Sequence, residues 1–547
     1  MKMSETNTNF ATIAVSDIPK TKFIQKHNRK MTMSANYLYP CYVKDVVPGD
    51  NFDLSMASLT RMTTLKVPVM DELQQKTYFF FVPYRLVWDN FVRMMGQQDN
   101  PTDSIDYTEP QVEAPEGGFG PESLFDYLNV NPYASGISVS SLIPRAYNLI
   151  YNEWFRAEQL VDSVKINKGD NGDLYTDFVL QKKSKIHDYF TSCLPTTQRG
   201  EAVTIPLGTT SPVIGNGKAL GLSDGTTNLW SMWNNYGNEN KAGLVSKLGS
   251  TEFGYPYNVG TDGAADTNIA GNNKAVGVSS NPDYSGLIAD LSNATAATIN
   301  AFRYAFQLQK LLERDNRAGC MRYTEIIQAH FNTINPDLQM YRPQYLGCCV
   351  QNINFVPVSQ NSATGATGTP QGNLSAYGVG TGADKAFKGS FGEWGVILGL
   401  TCISSIPSYQ QGVPRHFNRH GRYDYYYPEF AHLGEQEVLK KEIYSDGTEN
   451  DNDVFGYQER YAELRYEQNE ICGKMRSDNT NSLDIWHLSQ DLTSSVALNQ
   501  DFIEENIPIS RVVAVTNEPE FITVMNFYNE ATRPLPMYGT PGFVDHF

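Results

Sequence analysis

Two apolar runs, one continuous and one nearly continuous, stand out from the alternation of hydrophobic and polar positions along the chain. The first is Tyr78–Val82, within the stretch Thr77–Trp88, and the second is Val396–Ile403. Both are short and contain no period-2 alternation, and the first is stopped by Pro83, which a helix interior tolerates poorly. Such runs are typical of strands that are covered on both faces. Both segments are therefore predicted to be central strands of a sandwich.

Other segments show regular periodicity or strand composition. Apolar residues recur at helical spacing between Ser140 and Glu158 and again from Ile299 to Leu312, which predicts two helices inserted between strands. Ile509–Val515 and Phe521–Tyr528 are predicted as two closing strands. With 43 Gly, 28 Pro and only 19% charged residues, the chain is typical of a loop-rich β protein.

Residues 209–298 differ in composition from the rest of the chain. They hold 13 Gly in 90 residues, yet they also carry aromatic rings that a plain linker lacks. We interpret this stretch as a folded surface insertion, and exposed rings of this kind suit a binding surface. The same rings could instead form the insertion's own small core or pack against symmetry mates. The candidates for binding are Trp230, Trp233, Tyr236, Tyr255 and Tyr257.

Charge is distributed unevenly along the chain. The net charge is −17, so the surface as a whole should repel nucleic acid and any such contact must be local. Residues 18–44 hold six Lys or Arg and no Asp or Glu, whereas residues 429–470 hold twelve acidic and four basic residues. The basic segment either neutralises phosphates, or is a solvated arm, or docks on an acidic neighbour. Its candidates for contact with DNA or an internal protein are Lys20, Lys22, Lys26, Arg29 and Lys30.

Signals for catalysis, metal binding or membrane insertion are weak. The seven Cys form no Cys-x-x-Cys pair, and His416 and His420 lie between Pro414 and Gly421 with no acid between them. No nucleophile elbow or phosphate-binding loop is present. We therefore predict no catalytic residue, no cofactor and no metal. No window approaches the ~20 apolar residues of a membrane span and no signal peptide is visible, which predicts a soluble protein made in a cytoplasm without membrane insertion.

An ordered series of short motifs carries a resemblance to a known family. The motifs include Thr77–Pro83, Arg145–Ile150, Gln198–Gly200, Arg342–Gly347, Gly456–Ala462, Ser482–His487 and Pro541–Phe547. In these the chain resembles the major capsid proteins of the gokushovirus-like Microviridae, small phages with circular single-stranded DNA. The resemblance runs from about Phe23 to Phe547, and residues 209–298 are the least matched.

The resemblance implies an eight-stranded antiparallel jelly roll with long helix- and loop-containing insertions, assembled into a T=1 icosahedral shell around the genome. It divides the chain into an N-terminal arm (1–40, basic from about 18), a first part of the core (41–208), a variable insertion (209–298) and a second part with an extended tail (299–547). The insertion would form a protrusion at the threefold axes that meets a host surface receptor. Implied partners are copies of the chain, the single-stranded DNA, a small basic packaging protein, and scaffolding and pilot proteins. The implied location is the virion, assembled in the bacterial cytoplasm.

Two other functions compete with a capsid. Jelly rolls also form lectins, and Trp230, Trp233 and Tyr255 could stack on sugars, so a carbohydrate-binding module is the alternative. That hypothesis predicts a monomer or a small oligomer. A hydrolase on a β scaffold is the third hypothesis, and it lacks a catalytic constellation in the sequence.

Overall fold

A computed structural model describes residues 19–203, 299–317, 322–333, 341–361, 371–492 and 496–538, together with eight short strands between residues 213 and 289. The chain forms two compact units, Met1–Arg199 with Glu313–Phe547, and Gly200–Leu312. The long strands of the first unit are β1 (Thr21–Met33), β2 (Tyr39–Val46), β3 (Asn51–Met62), β4 (Leu73–Pro83), β5 (Gln344–Ser359), β6 (Leu374–Ser390), β7 (Gly395–Ser405) and β8 (Phe521–Arg533). The helices are α1 (Phe91–Met94), α2 (Leu124–Tyr127), α3 (Leu142–Ile150), α4 (Ile299–Arg317), α5 (Tyr323–Phe331), α6 (Gln500–Ile503) and α7 (Ile509–Val512).

The eight long strands pair in the order β1-β8-β3-β6-β5-β4-β7-β2, and every pair is antiparallel. This order separates into layer A (β1-β8-β3-β6) and layer B (β5-β4-β7-β2), joined by the β5–β6 hairpin. Strands that are consecutive in the chain, such as β1 and β2, lie in different layers, except for β4 and β5, which pair with each other in layer B. That alternation is the jelly-roll topology, so the predicted fold class is confirmed.

The two predicted central strands lie side by side in layer B and are buried on both faces. Phe79 and Phe81 of β4 join the core between the two layers, whereas Phe80 and Val82 join a second core on the outer side. The second core includes Tyr147 of α3, whose phenol donates a 2.9 Å hydrogen bond to the carbonyl of Leu38. The helix predicted between Ser140 and Glu158 is thus confirmed as α3, and it covers the middle of layer B.

The prediction of two closing strands was half wrong. Phe521–Arg533 forms β8, in the middle of layer A, but the Ile509–Val515 stretch begins with α7 and not with a strand. Ile509 and Val512 are three residues apart, and both are buried. In one helical turn this spacing places both side chains on the same face. The apolar run therefore forms the buried face of a helix that is too short to show helical periodicity in the sequence.

The loops that cover layer B are tied together by one buried cation. Arg145 of α3 is fully buried, and its Nε lies 2.5 Å from Oδ2 of Asp173. Its Nη1 donates to the carbonyls of Val87 and Gly169, both at 3.1 Å, and its Nη2 donates to the carbonyl of Asn171 at 3.3 Å. A single side chain of α3 therefore holds Val87, which follows β4 in the chain, and the 169–173 loop together.

Replacing Arg145 by Ala should lower the free energy of unfolding by about 3–5 kcal/mol, because Asp173 would keep its charge in the interior without a cation. Urea unfolding followed by tryptophan fluorescence measures this. Arg93→Ala is the matched control, since Arg93 is exposed and pairs with Asp99 at the surface. Its expected loss is much smaller, because solvent screens an exposed ion pair. Equal losses in the two variants would contradict the assigned role of Arg145.

Candidate functional site

The outward face of layer A is exposed and carries most of the predicted basic residues. Along β1, the exposed positions Lys22, Ile24, Lys26 and Lys30 alternate with half-buried or buried ones. The register sets Lys26 opposite Tyr528 and Lys30 opposite Val524 of β8. The cations of β1 therefore form a row at the edge of the sheet, because alternate residues of a strand share a face.

The lysines at the start of β1 have defined neighbours. Lys20 precedes the strand, and its Nζ donates to the carbonyl of Gly49 at 3.0 Å. Lys22 Nζ lies 2.6 Å from Oε2 of Glu530, and this hydrogen bond raises the pKa of the lysine. Lys26 Nζ stands 5.0 Å from the centroid of the Tyr528 ring, within cation–π range.

Arg29 lies on the other side of β1 from the lysines. Its Nη2 donates to the carbonyl of Tyr127, and burial lowers the pKa of its guanidinium. It is thus grouped with the core and not with the row of Lys22, Lys26 and Lys30. The sequence alone could have separated Arg29 from Lys22, Lys26 and Lys30. In a strand, odd-numbered and even-numbered residues face opposite ways.

Three further cations reach the same face from strands distant in sequence. Lys385 and Lys388 of β6 place Nζ at 3.0 Å and 3.8 Å from Oδ2 of Asp53 in β3, and the Arg61 guanidinium lies 6.0 Å from the Tyr377 ring. These three cations could not be grouped from the sequence, because only the pairing of β6 with β3 and of β3 with β8 brings them together. The basic face is defined here as these six residues: Lys22, Lys26, Lys30, Arg61, Lys385 and Lys388.

An open groove crosses the basic face between β1 and β6. It is lined by Lys26, Ser55, Lys385, Asn526 and Tyr528, among others. Asp384 also lines it, and Asp53 and Glu530 lie on the same face. Six cations against these three carboxylates still leave a local positive surplus on a chain of net charge −17. Ammonium groups, amides and a phenol ring are the groups that hold phosphates and bases of single-stranded nucleic acid.

The structure reaches only one of the five ring candidates in the insertion. Trp230 belongs to the short strand Leu229–Ser231, which pairs with Gly221–Ser223 and Ser246–Lys247 in a four-stranded sheet. Trp233, Tyr236, Tyr255 and Tyr257 lie outside the described residues. The insertion candidates therefore stay predictions.

A buried acid, Glu505, and a half-buried lysine, Lys185, line a small interior cavity away from the basic face. The cavity measures about 40 Å³, the size of a few water molecules. Glu505 accepts a 2.9 Å hydrogen bond from the backbone N–H of Ser405. Burial raises the pKa of Glu505 to about 7, although the positive charges of Lys183, Lys76 and Lys185 act to lower it. Lys185 donates to Oε1 of Gln490 at 3.0 Å, and burial lowers its pKa to about 8.

Across the described ranges, no group of three or more His, Cys, Asp and Glu side chains is placed to hold a metal ion. His416 lies in the short helical turn Arg415–Asn418, and His420 follows that turn. None of the helices in the described part of the chain combines the length and apolar character of a membrane span.

Comparison with known proteins gives matches along almost the whole chain. The model of the phage capsid protein (F protein) family matches residues 11–543. Capsid protein VP1 of Bdellovibrio phage phiMH2K is 39% identical, with 98% of each chain covered. Capsid protein VP1 of Chlamydia phage 1 is 38% identical with 97% of each covered, and that of Spiroplasma virus 4 is 33% identical with 99% of each covered. The resemblance drawn from the motifs is thereby confirmed.

Replacing Glu505 by Gln should flatten the fall in stability on going from about pH 5 to about pH 8. The pKa of Glu505 is raised in the folded chain, so the folded state holds the proton more tightly and stability falls as pH rises from about 4.5 to about 7. The parent should lose on the order of 2 kcal/mol more than the variant over this range. Urea unfolding at each pH measures it.

The control for this prediction is Glu518→Gln, which removes an exposed carboxyl. Its stability should follow the parent's dependence on pH. An equal fall in the Glu505→Gln variant and the parent would show that Glu505 is not the group that titrates.

Proposed function

Since the chain belongs to the phage capsid protein (F protein) family, we propose that its copies close into a T=1 icosahedral shell around a circular single-stranded DNA genome. Capsid proteins assemble with copies of themselves in a virion, so the first partner is the chain itself. The family match spans residues 11–543 and the jelly roll builds the first unit. In this proposal the subunits assemble in the cytoplasm of a bacterial host.

The observation that carries the DNA part of the proposal is the basic face of layer A. The middle of layer B is covered by α3 and its neighbouring loops, whereas the outward side of β1, β8, β3 and β6 is exposed. Exposed cations there can neutralise phosphates without regard to base sequence. The Tyr528 ring in the groove adds a surface on which a base can stack. This arrangement favours layer A as the side that faces the genome.

A small basic packaging protein is the second internal partner in the proposal. Each copy of the chain carries a net charge of −17, and the positive surplus on the basic face amounts to only a few charges. A shell built from such copies does not supply enough cations for a polyanionic genome. A separate basic protein, together with small counterions, would supply the remainder. Scaffolding and pilot proteins complete the set of proposed partners.

The insertion 209–298 is proposed as the host-attachment protrusion at the threefold axes. It lies within the separate compact unit Gly200–Leu312, as a variable surface module would. The carbohydrate-binding alternative is kept for this insertion alone, with a host glycan as the proposed ligand. A stand-alone lectin fits less well, because the capsid match extends over the whole chain.

The variant Lys26→Glu with Lys30→Glu should form shells in parental yield but retain less DNA. Two cations of the basic face become anions, which should repel phosphates and weaken retention several-fold, more strongly at low salt. Sedimentation with negative-stain imaging measures shell number and size class, and absorbance at 260 nm and 280 nm measures DNA per shell.

The matched control is Lys168→Glu with Lys474→Glu, which changes the net charge equally at two exposed positions outside layer A. Its DNA content should stay near that of the parent. If both variants retained the same DNA as the parent, the basic face would not be the genome side. Shells of several sizes in the parent would contradict the T=1 part of the proposal.

The variant Trp230→Ala with Trp233→Ala should lower glycan binding by assembled shells and leave shell yield unchanged. Flat rings that stack on sugars are removed, whereas the jelly roll is untouched. A glycan array probed with parent and variant shells measures this. Tyr133→Ala removes an exposed ring of the first unit and should bind as the parent does. Parental binding by the Trp variant would remove these two rings from the proposed attachment site.

A further inference from the structure

An exposed cluster of rings and arginines follows β7 in the chain and takes no part in the basic face. The segment Arg415–Phe430 contains three short helical turns, Arg415–Asn418, Arg422–Asp424 and Pro428–Phe430. Four of its rings are more than half exposed: Phe417 (70%), Tyr423 (63%), Tyr425 (56%) and Tyr426 (52%). These four rings and the two arginines Arg419 and Arg422 together are named the Arg–Tyr surface.

The arginines of this surface are held in place by the rings beside them. The Arg422 guanidinium lies 5.8 Å from the ring centroids of both Tyr423 and Tyr427, and its Nε donates to the Tyr427 hydroxyl at 3.0 Å. The Arg419 guanidinium lies 5.2 Å from the Tyr425 ring. The cations are thus fixed against aromatic faces, so less side-chain entropy is lost when a partner binds.

The backbone beneath the surface is fixed as well. Oδ2 of Asp424 accepts hydrogen bonds from the backbone N–H groups of His420 and Gly421, at 2.8 Å and 2.7 Å. These bonds lower the pKa of Asp424, so its carboxylate stays charged and keeps the turn closed. Behind the turn, the Arg460 guanidinium stacks between Phe430 and Tyr461, at 5.5 Å and 5.3 Å. The surface is therefore preorganised and not a loose loop.

We propose that the Arg–Tyr surface contacts an acidic surface on a second copy of this chain in the shell. Tyr, Phe and Arg are the residues enriched at the centres of protein interfaces. An acidic counterpart would complement Arg419 and Arg422, and every neighbouring copy offers exposed carboxylates in the acidic stretch 429–470, among them Glu429, Glu449 and Glu467. A contact between unlike surfaces repeats from copy to copy and closes a ring when its rotation is that of a symmetry axis, as a closed shell requires.

The groups around the surface favour a protein partner over nucleic acid. The adjoining groove is lined by Glu435, Glu437 and Glu442 as well as by Arg415, Arg419 and Arg460. Glu437 is exposed, and Glu463 accepts a hydrogen bond from Nε2 of Gln436 nearby. A phosphate backbone laid along the arginines would meet these carboxylates, whereas a protein surface can match both signs of charge. The proposal requires only that the chain forms shells and is independent of their DNA content.

Assembly of variants gives the first test. Tyr423→Ala with Tyr425→Ala, and separately Arg419→Glu with Arg422→Glu, should each lower the fraction of chain that sediments as closed shells by about tenfold or more. The matched control for the rings is Tyr423→Phe with Tyr425→Phe, and the separate control for the charge is Arg422→Lys. Each control should assemble within about twofold of the parent. Thermal unfolding of the unassembled fractions checks that each variant is folded. Parental shell yield in both test variants would overturn the proposal.

Photochemical cross-linking gives the second test and does not depend on disrupting the contact. The variant Tyr425→benzoylphenylalanine places a photoreactive ring at an exposed position of the surface. Irradiated shells should give a covalent dimer of two chains, and mass spectrometry should locate the cross-link near acidic residues of the second copy. An adduct with DNA, or the absence of a chain–chain product from intact shells, would overturn the proposal.

Discussion

The structure depends on the burial of the β4–β7 pair on both faces. Hydrogen bonds join Leu73–Pro83 to Gly395–Ser405 along their whole length, and side chains from both sides of this ribbon lie in a core. One core is supplied by layer A, and the other is built from the inserted segments, which include α3 and Val112 of the short strand Gln111–Glu113. The insertions between strands are therefore required for the fold, and α3 with its buried Arg145 is the element that organises them.

The burial of β4 and β7 on both faces also determines where charged side chains can be exposed. Covering β4 and β7 takes the outer side of the middle of layer B out of solvent, so layer A provides the exposed sheet face. Charges that do enter the interior are compensated: Arg145 is paired with Asp173 and Arg533 with Asp50, and Arg415 contacts Glu442. Glu505 departs from this rule, since one of its carboxylate oxygens has no hydrogen-bond partner among the described residues. Burial consequently shifts the titration of Glu505 toward neutral pH.

The sequence predicted the elements that have a strong local pattern and failed where geometry comes from distant pairing. The runs at Tyr78–Val82 and Val396–Ile403 identified β4 and β7, and helical spacing identified α3. Ile509–Val515 was mistaken for a strand, because one turn of helix has too few residues to show a period. Lys22, Lys26 and Lys30 were found from charge alone, and strand alternation would have separated Arg29 from them. Arg61, Lys385 and Lys388 could not be added from sequence, because they join the basic face only through the pairing of β3, β6 and β8.

Assembly of so acidic a chain requires that attraction between copies be local. At physiological ionic strength charges are screened beyond about 8 Å, so the mutual repulsion of net-negative copies is weak at long range and contact depends on the groups that meet. A cationic surface can then serve two different neighbours. The basic face is a pleated sheet on which the six named cations outnumber the carboxylates of Asp53, Asp384 and Glu530, which suits a flexible polyanion. The Arg–Tyr surface sets stacked rings and carboxylates beside its cations, which suits a folded partner of mixed charge. The sign of the charge is the same on the two surfaces, so the proposal of the genome for one and the neighbouring subunit for the other rests on the groups around each cation.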